Sequence, residues 1–223
     1  MPDVAAFDFD GTLTDGGSVF GFLTAVAGHR SVLSASLALS PRLVHAALAG
    51  GSAADTTKEL LFERVLAGID AAHLQRVATV FAEEHLAGHL RSDVCDRLEW
   101  HRGRGDKVVI VSASPEAYVK VVGDRLAADA VIATRLEVGG DGRMTGRYEG
   151  ANCRGQEKLR RLRQWIDESG AAPEKLWAYG NSRGDLRMLE AADLGVNVGR
   201  LGPIGRLRSF PGLTETRLGT GRG

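Results

Sequence analysis

Two aspartates stand two residues apart in Phe7-Asp8-Phe9-Asp10-Gly11-Thr12, directly after an apolar run that begins at Val4. In an extended chain, alternate residues point the same way, so Asp8 and Asp10 emerge together at a strand end, and Gly11 lets the backbone turn aside. Adjacent carboxylates repel, and both ionise readily at neutral pH only with a cation beside them; hard oxygen donors of this kind suit Mg²⁺. The competing reading is an Asp-Gly turn whose acids face water. Three further segments put polar groups after apolar runs. Ser112 follows the run 107–111 (KVVIV), where its hydroxyl and the neighbouring amides can bond a phosphoryl oxygen, although a serine there also serves as a plain cap. Lys158 lies near the start of a helix after Gly155 and can reach an anion, although Arg154, Arg160, Arg161 and Arg163 read by default as a solvated basic face. Gly180-Asn181-Ser182-Arg183-Gly184-Asp185 presents an amide and a carboxylate four residues apart, oxygen donors able to hold a metal.

Such residues need a scaffold that gathers strand ends. The run 4–9 reads as a buried strand that breaks into a loop. Helices follow. Thr56 with Glu59 is a candidate capping box for a helix over 60–66, Asp70 caps one running through Leu74, Val77 and Phe81, and Ser92 starts another that ends near Gly103. After strand 107–111, Ser114-Pro115 supplies an N-cap and first-turn proline for the next helix. Segment 130–133 is strand-like, the Gly-Gly-Asp-Gly turn within 138–144 predicts a hairpin, and 156–169 is helical with Gly170 as its stop. A strand at 176–179, a helix at 185–191 and a strand at 194–198 complete the pattern. Apolar runs alternating with helices imply parallel strands and right-handed crossovers, whose carboxyl ends collect ligand-binding loops. The expected fold class is α/β: a doubly wound parallel sheet over 1–15 and 104–202, a helical domain 16–103 inserted after the first strand, and a loosely held tail over 203–223.

Composition narrows the classes further. The 223 residues hold 28 Lys plus Arg against 28 Asp plus Glu, which excludes a generally basic nucleic-acid coat and an acidic disordered tail. Cys95 and Cys153 are far apart with no metal-ligand spacing, so neither a disulfide framework nor a structural zinc is indicated, and a cytoplasmic setting is expected. The start Met1-Pro2-Asp3 lacks the basic and long apolar parts of an export signal. Residues 16–54 carry only Arg30 and Arg42 as formal charges, yet their uncharged pieces are shorter than the roughly 18–20 residues a spanning helix needs. Phe20, Phe22, Leu23, Val26, Val32, Leu33, Leu37 and Leu39 there read as a pair of buried helices or as a surface meeting lipid or an apolar substrate.

Taken together, DFDGT, VSASPE, Lys158 in GQEK and GNSRGD resemble, in order and spacing, the four motifs of the haloacid dehalogenase superfamily. The likeness runs from about Val4 to Gly199, and the long helical insert is similar to the cap of subfamily IB, the phosphoserine-phosphatase-like hydrolases. The resemblance implies that Asp8 is the nucleophile of an aspartyl-phosphate route and Asp10 the general acid and base. It further implies that Ser112 and Lys158 bind the phosphoryl group, and that Asp8, the Asp10 carbonyl, Asn181 and Asp185 hold Mg²⁺. In that family a lysine at position 10 would point to transport ATPases and the lack of an acid to dehalogenases, so Asp10 points to a phosphatase. Asn181 departs from the pattern, which commonly has aspartate there; a neutral carbonyl is expected to weaken the metal without abolishing its binding.

His85 and His89 stand four apart on an expected helix but lack the glutamate of HExxH and any third ligand, so a packed helix face is expected. No GxxxxGK[ST], GxGxxG or GxSxG motif occurs. A signalling receiver domain uses similar residues but would be far shorter. The expected partner is a small-molecule phosphomonoester, either a polar metabolite or an amphiphilic phosphate, with no nucleic acid, no transmembrane segment and peripheral membrane contact left open. Two rival outcomes are transfer of the phosphoryl group to an acceptor other than water, and a phosphate-binding protein impaired through Asn181. No feature of the sequence sets an oligomeric state.

Overall fold

A computed structural model describes residues 2–49, 51–199 and 208–209. Strand β1 (Val4–Phe7) sits at the centre of a parallel sheet, between β2 (Lys107–Pro115) and β6 (Leu176–Gly180). Beyond β2 lies β3 (Ala130–Thr134), and beyond β6 lies β7 (Leu194–Asn197), with β8 (Arg208–Ser209) at the edge. All four side chains of β1 are fully buried, as a strand covered on both faces requires. Ala5 and Phe7 point to one layer with Ile110 and Tyr118, while Val4 and Ala6 point to the other with Val111, Leu162 and Met188. The sheet is therefore doubly wound, as the alternating pattern predicts. Of the expected tail over 203–223, only Arg208 and Ser209 belong to the described residues, where they pair with Val196 and Asn197.

Six helices lie between β1 and β2: α1 (Val19–Ala27), α2 (His29–Ala38), α3 (Ser40–Ala49), α4 (Gly51–Leu66), α5 (Ala71–His89) and α6 (Ser92–Gly103). Segment 16–54 thus forms three short helices and the start of a fourth, and Phe20, Leu33 and Leu37 are exposed while Phe22, Leu23, Val26, Val32 and Leu39 are buried. The capping box at Thr56 does not form. The helix starts earlier, so Thr56 falls inside α4, and Glu59 instead accepts the Tyr148 amide at 3.1 Å. Asp70 does cap α5, accepting the His73 amide at 2.8 Å. No helix among the described residues is long and apolar enough to cross a membrane.

Helix α6 packs directly on the sheet through His101, whose ring meets Phe7 edge-on at 6.0 Å between centroids. Its Nδ1–H donates to Asp106 at 2.7 Å and its Nε2 accepts from the Tyr179 hydroxyl at 2.9 Å. Burial pushes the ring down to about 4 against the opposing pull of Asp106, while the Arg97 and Arg104 charges add to the lowering. The unfolded chain binds a proton near pH 6.5 that the folded chain refuses until about pH 4, so this site's contribution to stability is complete above pH 6.5 and is lost as pH falls through that window. Urea unfolding across the window is expected to show the stability advantage of wild type over His101→Gln shrinking steadily toward pH 4. A constant difference would show that the ring is not held neutral.

After β2 come α7 (Glu116–Arg125), β3 and a two-stranded antiparallel hairpin of β4 (Leu136–Val138) and β5 (Met144–Tyr148). Helices α8 (Gln156–Glu168) and α9 (Leu186–Ala191) cover the second face. One boundary differs from the sequence pattern. Strand β2 runs on to Pro115, which itself occupies the N-cap position of α7, with a register irregularity between Val111 and Pro115. Ser114 is thereby freed from capping and serves the loop end described next.

Candidate active site

The parallel register gathers the sequence-predicted residues at one sheet edge. Phe7 lies level with Ile110 on one side and Tyr179 on the other, so the residues after these three positions emerge at the same edge. Asp8 continues the pairing through its amide, which donates to Tyr179 O at 2.9 Å. Its carboxylate is 6% exposed and takes Thr12 Oγ1 on Oδ2 at 2.9 Å and Lys158 Nζ on Oδ1 at 2.6 Å. Lys158 sits in the first turn of α8, 1% exposed, and its ammonium also meets Asp185 Oδ1 at 2.5 Å. It is a buried bridge between two carboxylates, whereas Arg160 and Arg163 on the same helix are exposed.

Asp185 is fixed by more than the lysine. Its Oδ2 accepts from the Ser182 amide at 2.9 Å, the Ser182 hydroxyl at 2.8 Å and the Asn181 amide at 3.2 Å. Burial works to raise this carboxyl, but Lys158 and the Ser182 donors outweigh it and hold it below the usual carboxylate range. Asp8 goes the other way: burial first, then the Asp185 charge, push it up to about 7 despite Lys158. Burial disfavours the charge on Lys158 as well, yet Asp185 and Asp8 together raise it. One ammonium thus serves two buried acids and leaves one negative charge unbalanced.

Asp10 lies beside this group with both oxygens engaged, Oδ1 by the Ser18 amide at 2.6 Å and Oδ2 by the Ser114 hydroxyl. Ser112, 1% exposed, accepts the Ser114 amide on its Oγ at 3.0 Å, which leaves its own proton available. Asn181 packs against Gly11, where a Cβ would fall 1.9 Å from Nδ2; Gly11 also has φ +78°, so both space and backbone demand glycine there. The Asn181 Oδ1 is buried and accepts no hydrogen bond.

That orphaned oxygen tests whether a cation suits the site. A buried acceptor without a donor is costly, and it lies on the loop that also carries Asp185, which Lys158 bridges to Asp8. With the unbalanced carboxylate, it fits a hard divalent ion bound through oxygen. Among the described residues no group of three or more His, Cys, Asp or Glu could hold a metal, so an ion here would draw on the Asn181 amide and a backbone carbonyl besides Asp8 and Asp185. His85 and His89 stack at 4.6 Å between centroids, with His89 Nδ1 at 2.7 Å from Asp15, and form no such group.

Sequence reasoning missed Lys58 and Ser114. Lys58 reaches over from α4 and donates to Ala113 O at 2.7 Å, between the two serines. Burial lowers its ammonium to about 8, with Asp10 and Asp55 opposing. Its one signal in the sequence is that it is the only lysine before Lys107. Asp55 on the same helix accepts from Asn152 Nδ2 at 2.8 Å, so α4 is tied to the core beside the site.

Comparison with known proteins adds four findings. A profile described as haloacid dehalogenase-like hydrolase matches residues 5–190. Protein CicA of Caulobacter vibrioides is 38% identical over 192 residues, covering 86% of this chain and 84% of that protein. A phosphoserine phosphatase of Lactococcus lactis is 30% identical over 141 residues, 62% of each chain. A substrate-bound phosphoserine phosphatase structure superposes with a TM-score of 0.64 at 18% identity, over 88% of this chain and 86% of that one, a likeness of fold.

Proposed function

We propose that this chain, which belongs to the haloacid dehalogenase-like hydrolase family, hydrolyses a phosphomonoester in a Mg²⁺-dependent reaction through an aspartyl-phosphate on Asp8. The observation that carries the reading is Asp8 bonded to the buried Lys158 ammonium, with Asp10 held by two donors beside it. An Asp8 oxygen attacks phosphorus, the ester P–O bond breaks, and its electron pair leaves with the alkoxide, which takes a proton from Asp10. Asp10 then removes a proton from water, whose oxygen attacks phosphorus; the bond to Asp8 breaks and phosphate departs. The Ser18 amide and the Ser114 hydroxyl fix the Asp10 carboxylate, so its proton is delivered in one direction. Ser112 donates to a non-bridging oxygen, and Lys158 offsets the charge spread over phosphorus and Asp8.

Asp8, Asp185, the Asn181 amide oxygen and the Asp10 carbonyl would hold Mg²⁺, which when bound would screen the phosphoryl oxygens from the carboxylates. Asn181→Asp is expected to tighten Mg²⁺ about tenfold, read as the ion concentration needed to raise the melting temperature. An unchanged requirement would remove Asn181 from the ligand set. The domain reading is part of the proposal: a core over 1–15 and 104–202 carries the chemistry, and the helical insert 16–103, with Lys58 reaching the cleft and α6 resting on β1 through His101, selects the substrate. A cytoplasmic setting is proposed from the free thiols Cys95 and Cys153.

The test is phosphate release from an aryl phosphate with and without Mg²⁺. Metal-dependent release supports the reading. Phosphoryl transfer to added alcohol in preference to water would reassign the protein as a phosphotransferase. No release from wild type, with release from Asn181→Asp, would make it a binding protein impaired at that ligand.

A further inference from the structure

We propose that the outward face of α1, α2 and α3 seats this protein on an anionic lipid bilayer. Helix α2 carries apolar side chains on its inner and on its outer side. Val32 and Ala35 point inward, while Leu33 and Leu37, 61% and 65% exposed, point outward. Phe20 on α1 and Val44 on α3, the helices that adjoin α2, are 53% and 61% exposed. Apolar side chains on two sides of a helix call for cover on each, and the core covers only the inner one.

Charge identifies the outer cover. Between Asp15 and Asp55 there is no acid, whereas His29, Arg30, Arg42 and His45 are present and exposed. The whole chain has a net charge of +0, so the balancing acids lie elsewhere in the sequence. A second copy meeting this face symmetrically would set the same cations against each other. An anionic bilayer instead supplies opposite charge and hydrocarbon at one surface. The remaining polar positions of α2 are Ser31, Ser34 and Ser36, which are small enough to lie among headgroups without holding the helix off. With no helix among the described residues long and apolar enough to span, the proposed contact is peripheral.

The test is co-sedimentation of the full chain with vesicles of phosphatidylcholine alone or equimolar with phosphatidylglycerol. The protein is expected to pellet with the anionic vesicles, to be released by high salt, and to stay in solution with phosphatidylcholine. Leu33→Ser with Leu37→Ser is expected to weaken binding at least about tenfold. Arg30→Gln and Arg42→Gln, at exposed positions that spare the fold, should weaken it about fivefold each. Binding indifferent to lipid charge, or unaltered by these substitutions, would overturn the proposal. So would a leucine variant that converts a dimer to a monomer in light scattering without vesicles, which would make the face a contact between copies. Release of phosphate from a soluble aryl phosphate, measured on the same samples, should be unaltered, so failure of the lipid contact is separable from failure of the catalytic reading.

Discussion

Asp8→Asn is expected to lower kcat/KM for an aryl phosphate by at least about 10³-fold, because an amide cannot form the acyl phosphate. The same change should leave the melting temperature equal or higher. In wild type one ammonium serves both Asp8 and Asp185, and burial with the Asp185 charge pushes Asp8 up to about 7. The amide removes the surplus charge and leaves Lys158 paired with Asp185 alone. Calorimetry in the absence of metal reads the stability arm, and phosphate release reads the catalytic arm. Substantial turnover in the folded variant would sink the nucleophile assignment.

Lys158→Met should lose both activity and stability. The side chain is 1% exposed and bridges the two carboxylates, so its removal leaves two buried acids without a cation. Breaking a buried pair from one side costs about 3–5 kcal/mol, far more than a surface pair is worth. Urea unfolding of the metal-free variant should show that loss, and Mg²⁺ should restore more stability to the variant than it adds to wild type. A loss below about 1 kcal/mol would mean that the acids are already neutral or hydrated.

The scaffold was largely legible because its signal is local. KVVIV, the Asp70 cap and the Gly-rich hairpin turn each carry a preference that the surrounding fold does not override. Asp8 and Asp10 were legible for the same reason, since strand geometry alone puts alternate residues on one side. The companions of Asp10 were not. Ser114 reads as a helix cap until β2 is seen to run on to Pro115, and Ser18 acts through its backbone amide, which every residue has. Lys58 comes from a helix whose position relative to Ala113 no local pattern encodes. The helical insert left one choice open: Leu33 and Leu37 have the same residue type as buried Leu23 and Leu39, and only the placement of α2 separates them.

The register of β1 also bears on how the chain is made. Val4 leaves the ribosome well before its partners Lys107 and Leu176, and Asp185 follows later still. Pairings between such distant segments pay a large loop-closure cost before they are rewarded, so they form late and slowly. Until Lys107 and Leu176 have emerged, the nascent chain therefore carries this central strand unpaired, as an apolar edge open to wrong partners. No fragment that stops before residue 185 contains all of the proposed site, so the proposed chemistry waits for the loop that follows β6.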